Sequence, residues 1–172
     1  MFTEKFVQDL KSLIPHGEYF YSKYSPEFIN SIQKEYLLLP KEDMIIEENC
    51  IVDLVNNYKS KYIRFGDYSF LEMIEIFNGH NIFCESSDTY LCFDGQDGKI
   101  MEIDRDDNSL IDYCAENSEL FLKSILIIFK FSSDNMMGLI NDRNKEREKI
   151  IKECSIVAGG NKYVGFFERA LW

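Results

Sequence analysis

The stretch spanning residues 89–131 constrains the fold of this 172-residue chain more than any other. It begins TYLCFDGQDGKIMEID, two apolar-rich runs at 90–94 and 99–104 split by Gly95, Gln96, Asp97 and Gly98. A short Gly- and Asp-rich spacer between two such runs has the composition of a hairpin loop. The stretch ends in NSELFLKSILIIFKF, the strongest helical signal in the chain. Phe121, Ile125 and Ile128 fall on one side of that helix, with Leu120, Ser124, Ile127 and Phe131 beside them and Asn117 or Ser118 placed to cap it. An apolar face this broad has to be buried, and the hairpin offers the surface to bury it on. The residues between hairpin and helix, 105–116, are crowded with Asp and read as a loop.

The flanking segments extend this unit. Residues 82–85 form a third short strand, so the three make an antiparallel meander, and Asn78-Gly79 turns the chain just before it. Residues 68–77 suit a strand or a helix. Residues 61–67, KYIRFGD, alternate Tyr62 and Arg64 against Ile63 and Phe65 and read as a strand ending at Gly66. Before them, Phe2, Phe6, Val7, Leu10, Leu13 and Ile14 space an amphipathic helix with Thr3 as its cap, which Pro15 and Gly17 stop. The tyrosine-rich residues 18–24 read as extended. Ser25, Pro26 and Glu27 supply a cap, a first-turn proline and a first-turn acid for a helix reaching Tyr36. Residues 45–58 are mixed, with Val52, Leu54 and Val55 inward and a turn at Asn56-Asn57. Downstream, residues 136–157 read as a helix with a solvated middle, broken by Gly159-Gly160, and Phe166, Phe167, Ala170 and Leu171 space a short closing helix.

Composition narrows the class. The chain is 45% apolar and 15% aromatic, too rich for disorder and of a length that suits one domain, residues 1–172. The five cysteines form no CxxC pair and read as reduced core thiols. The N-terminal residues lack an apolar signal core, and no run approaches the ~18 apolar residues of a membrane span, so the expectation is a cytoplasmic protein with no membrane partner. A net charge of −11 argues against nucleic acid as a partner and for a basic protein. His16 and His80 sit beside turn residues in no metal-binding pattern and read as exposed loop residues. No GxSxG, phosphate-binding loop or dinucleotide fingerprint is present. The expectation is a non-enzyme with no catalytic, cofactor or metal residues.

The positive signal is electrostatic. Between Glu85 and Glu119 stand eleven acids against Lys99 and Arg105 alone, so most of the chain's charge lies in one fifth of its length. Asp104, Asp106 and Asn108 match the first three ligand positions of a calcium loop. Ser109 then replaces its glycine and Ala115 its bidentate Glu, which breaks the pattern. Paired catalytic carboxylates would need a companion His, Lys or metal motif. Two readings stay open: a solvated loop that aids solubility, and an electronegative face that docks a basic protein. The second assigns Asp88, Asp94, Asp97, Asp104, Asp106, Asp107 and Asp112 to partner binding, with Tyr90 and Tyr113 as aromatic anchors.

The order of these segments carries a resemblance. A strand with Ile63, Phe65 and Gly66 precedes the hairpin at 93–100, and Asn117-Ser118 opens a helix with Phe121, Leu122 and Ile125. In this the chain resembles the SUKH superfamily of bacterial toxin-immunity proteins, most closely its fourth subgroup. Upstream, Leu10, Leu13, Pro15 and Phe20 are similar to that family's early leucine, proline and aromatic segment, and FFERALW to a C-terminal aromatic segment ending here at Trp172. The glycine usual before the early Leu–Pro pair and the acidic–Pro–Ala signature before the final Trp are absent. The resemblance implies an α+β fold with a curved antiparallel sheet flanked by helices, and a protein that neutralises a cognate toxin by direct contact. Toxins paired with such proteins are commonly nucleases or nucleic-acid deaminases. The alternative is a binding or regulatory module of the same fold acting on another cytosolic partner, its acidic loop only solvating.

Overall fold

The computed structural model describes residues 2–45, 47–93, 95 and 98–171. Six strands form one antiparallel sheet in which every neighbour in space is a neighbour in sequence: β1 (Arg64–Phe65), β2 (Tyr68–Phe77), β3 (His80–Glu85), β4 (Thr89–Phe93), β5 (Ile100–Asp104) and β6 (Leu110–Ala115). Helices α1 (Phe2–Ser12), α2 (Glu18–Lys23), α3 (Pro26–Tyr36) and α4 (Cys50–Asn57) precede the sheet, and α5 (Ser118–Met136), α6 (Arg143–Val157) and α7 (Val164–Ala170) follow it. The architecture is α+β, a curled antiparallel meander flanked by helices, as expected from the sequence.

Local chemistry explains most boundaries. Ser25 caps α3 by accepting from the Phe28 amide at 3.3 Å, with Pro26 at N1. Asn117 caps α5 through the Leu120 amide at 2.9 Å. Asn78 and Gly79, at φ +49° and +84°, make the two-residue turn that joins β2 to β3, the ambiguous 68–77 segment being a strand. The closing helix forms as the spacing of Phe166, Phe167 and Ala170 predicts, and all three are buried.

Five expectations need correcting. Thr3 is not a cap: α1 already includes it, and its buried hydroxyl reaches the Cys50 carbonyl at 3.4 Å. Residues 18–24 are helical through Lys23, because one turn of helix buries Phe20 completely and packs its ring, tilted, against Tyr24 at 5.4 Å. Asn57 is no turn residue but the last residue of α4. Its buried amide donates to Asp53 Oδ1 at 2.6 Å and accepts from the Ile45 amide at 2.7 Å, which staples the incoming loop to the helix. The strand expected at 61–67 shrinks to β1, since residues 60–62 form a 3-10 turn whose Ser60 hydroxyl donates to the Leu71 carbonyl at 2.6 Å. Met136 and Met137 end α5, and α6 begins afresh with Asp142 capping it through the Lys145 amide at 3.0 Å.

The main core lies between the helices and one face of the sheet. Phe121 of α5 is its hub, with ring centroids 6.2 Å from Phe65, 5.5 Å from Phe83 and 6.2 Å from Phe166. Leu91, Phe93, Ile125 and Ile128 are buried around it as the periodicity predicts. A second, smaller cluster, Ile82, Cys92, Met101 and Ile103 with Leu71 and Tyr90 against it, is built from strand residues alone. Cys84, Cys92, Cys114 and Cys154 are buried thiols and Cys50 is half-buried.

The β1–β2 turn packs against the end of α7. Gly66 has φ +54°, and a Cβ there would collide with the Ala170 carbonyl oxygen. Gly79 also has positive φ but has open space around it. Gly66→Ala is therefore expected to lose about 2–3 kcal/mol by urea unfolding, and Gly79→Ala only about 1 kcal/mol, the difference being the collision.

Candidate functional site

The acidic region is not one loop. It is divided among two turns, a strand and the β4–β5 connection, and Asp94 and Asp97 lie outside the described residues. The β3–β4 turn, 86–88, and the β5–β6 turn, 105–109, stand side by side at one end of the sheet, joined where the Arg105 amide donates to the Asp88 carbonyl at 3.0 Å. Arg105 clamps both turns. Its guanidinium donates to the Ser86 carbonyl at 2.8 Å, pairs with Glu85 at 3.5 Å and lies 4.7 Å from the centre of the Tyr90 ring.

The acids of these turns do two different jobs. Asp104 Oδ1 accepts from the amides of Asp106 at 2.7 Å and Asp107 at 3.3 Å, and Asn108 closes the turn at φ +60°. Asp107 Oδ1 accepts from the Ser109 amide at 2.8 Å, and bonding to Ser109 holds its carboxyl below the usual range. Those two carboxylates shape the backbone, an Asx-type turn in place of a calcium loop. Asp88, which accepts only from the Ser87 hydroxyl at 2.9 Å, and Asp106 are exposed and bind no backbone amide among the described residues, and Asp107 adds a third exposed carboxylate.

The remaining expected residues separate. Residues 110–115, read as loop, are strand β6, where Asp112 pairs opposite Glu102 and Tyr113 opposite Met101. Asp112 turns toward α7 and accepts from Arg169 at 3.1 Å, so it is an internal contact and not part of an outward face. Tyr113 is 41% exposed on the side of the sheet away from α7, with the Lys99 ammonium 5.8 Å from its ring centre. Tyr90 shares that side but is half-buried between Arg105 and Phe77, whose ring centre is 5.9 Å away. Asp88, Tyr90, Asp104, Asp106 and Asp107 thus come together, and Asp112 and Tyr113 do not join them. His80 also differs from expectation, being half-buried as the first residue of β3 with Nδ1 unpartnered.

Sequence reasoning missed a buried carboxylate. Glu102, 2% exposed on β5, accepts from the Tyr68 hydroxyl, from Thr89 Oγ1 at 3.1 Å and from Arg169 Nη2 at 2.6 Å. Burial, reinforced by the bond to Glu102, pushes the Tyr68 phenol up, so it stays protonated at neutral pH. The carboxylate is fully engaged and joins β2, β4, β5 and α7. The one hint in sequence is Glu102 standing between apolar neighbours in the run IMEI. Burial also pushes the Cys50 thiol up to about 12 and raises Cys84, Cys114 and Cys154, which leaves them poor nucleophiles. Among the described residues no His, Cys, Asp and Glu group could hold a metal ion, and no helix is long and apolar enough to cross a membrane.

Two concavities lie on the helical side. A groove of about 820 Å³ runs between α1, α5 and α6, floored by Leu13, Leu126, Ile127 and Ile150. A cleft of about 360 Å³ lies between α3, β1, α5 and the start of α6, with Glu35, Arg64 and Arg143 around it. Burial pushes the Glu35 carboxyl up to about 7 against the pull of Arg64.

These contacts set two expectations. Arg169→Met strips Glu102 of its cation and should cost about 2–4 kcal/mol by urea unfolding; adding Glu102→Gln should return part of it, since no buried charge is then left unpaired. At Glu35 the folded state keeps a proton that the unfolded chain releases, so its contribution to stability falls as pH rises from 4.5 through about 7. Glu35→Gln should match the wild type near the lower end of that window. Above it the variant should be more stable by about 1–2 kcal/mol, partial exposure having reduced the effect, as read by thermal melts across pH.

No family model matches the chain, and no solved structure matches it. Among curated proteins it is similar to an uncharacterized protein of Methanocaldococcus jannaschii, 26% identical over 133 residues, which are 67% of this chain and 54% of that protein. The chain spans about half the length of that relative.

Proposed function

We propose that this chain is an immunity-type binding protein that neutralises a cognate toxin by direct contact through the acidic end of its sheet, without catalysis of its own. The observation that carries the reading is the pairing of the 86–88 and 105–109 turns, which sets the exposed charges of Asp88, Asp106 and Asp107 on one clamped platform. Beside it runs a sheet side with exposed Tyr113 and, at the far end of β2, Met73 and Phe77. Acids at the rim accelerate encounter with a basic surface, and aromatic and apolar side chains slow its departure. A nuclease or nucleic-acid deaminase, whose cleft is built for phosphate, has the matching charge. The resemblance to SUKH proteins supports the same reading.

The test is co-expression and binding with the domain encoded beside this chain's gene, if that domain is toxic when expressed alone. The wild-type chain should rescue growth and bind. Asp88→Lys with Asp106→Lys spares the turn-forming Asp104 and Asp107 and should slow association about 10- to 100-fold at low salt, the gap closing as salt rises. A wild-type chain that neither binds nor rescues overturns the function. Association unchanged by the double reversal overturns the placement of the site.

A further inference from the structure

We propose that the cleft between α3, β1 and α5 binds a small organic anion, its acidic group held between Arg64 and Arg143 and its apolar body resting on Phe65, Phe129 and Met136. The cleft, about 360 Å³, is of a size that suits a small ligand. It shares no residue with the acidic turns, so this proposal stands apart from toxin binding.

The chain has 30 acids and 19 basic residues, and its guanidiniums other than those of Arg64 and Arg143 find protein partners, Arg105 at Ser86 and Glu85 and Arg169 at Glu102 and Asp112. Arg64 and Arg143 are both exposed at the cleft, and neither donates a hydrogen bond or forms a salt bridge among the described residues. Two free guanidiniums on one concavity make a positive spot in a negative field, and a fork of planar donors suits a carboxylate or phosphate. Arg143 is moreover the first residue of α6, where the helix dipole disfavours a cation and favours an anion. Ser132 and Asn135 of α5 add neutral polar groups to the wall.

Glu35 gives the site a built-in proton dependence. It is half-buried in the same cleft, and burial pushes its carboxyl up to about 7 while Arg64 opposes. The charged group acting on it is Arg64 from β1, while Arg143 of α6 lines the same cleft; α5 presents Ser132 and Asn135 to the cleft, with Asp134 acting on the neighbouring Tyr36, whose phenol burial keeps protonated. A charged Glu35 repels an incoming anion, whereas its protonated form is a hydrogen-bond donor. Anion binding therefore takes up a proton, and affinity falls as pH rises through about 7.

The probe is benzoate, ionised throughout the range from about pH 6 to about pH 8, with benzamide as the neutral control, titrated into the full chain by calorimetry and amide NMR. Benzoate should bind saturably and benzamide should not. Arg64→Gln and Arg143→Gln, both surface changes whose folding a melt verifies, should each weaken binding about tenfold. Glu35→Gln should keep binding and flatten its pH dependence. The proposal is overturned by benzoate failing to saturate at about 10 mM, by equal binding of benzamide, or by affinity unmoved in both arginine variants. A pH dependence that survives Glu35→Gln overturns the role given to Glu35.

Discussion

Everything in this molecule meets at Phe121. Its ring touches those of Phe65 from the first strand, Phe83 from the third and Phe166 from the last helix, so one α5 side chain joins both edges of the helical layer to the sheet. Aromatic contacts of this kind add about 0.5–1.5 kcal/mol each beyond the area they bury. The larger effect is geometric. With Phe121 in place, Ile125 and Ile128 follow one and two turns later onto the same surface, and the remaining helices pack around α5. The polar counterpart is Glu102, whose three donors come from two other strands and α7. The aromatic hub brings α7 to the sheet, and the carboxylate fixes its position there.

The acidic region shows how little a count of charges says about where charge acts. Asp104 and Asp107 lie close in sequence to Asp106, yet their oxygens are taken by backbone amides of the same turn, while the Asp106 side chain is exposed and accepts no bond among the described residues. Asp112, a few residues on, points the other way and is neutralised by Arg169. A surface potential built from these residues depends on the turn that aims them.

Much of this was readable before any coordinates. The hairpin pairing β4 with β5, the caps at Ser25 and Asn117, the Asn78-Gly79 turn and the apolar face of α5 all rest on local chemistry, and all formed as read. Strand β6 was missed because its acids hid the alternation: Leu110, Asp112 and Cys114 lie among so many Asp residues that the segment looks like loop. Helix α2 was missed because tyrosines favour strands in general, and only the tertiary burial of Phe20 overrides that preference. The Glu102–Arg169 pair spans 67 residues, a distance at which spacing carries no signal. Of the expected partner-binding residues, those in or beside the two paired turns, 86–88 and 105–109, come together, while Asp112 and Tyr113 on β6 are sent to opposite sides of the sheet by its alternation.

The strictly sequential strand order has a kinetic side. Each pairing closes only a short loop, so the sheet can zip one hairpin at a time, and the long closures are left to the helices. Without Arg169 of α7, the apolar face would carry Glu102 as an unneutralised charge in its middle. A partly folded sheet of this kind repels the stacking of a second copy, because burying that face would strand the carboxylate. The side chain that anchors the finished fold is thus also one that an uncovered sheet could not bury against a second copy without leaving a charge unpaired.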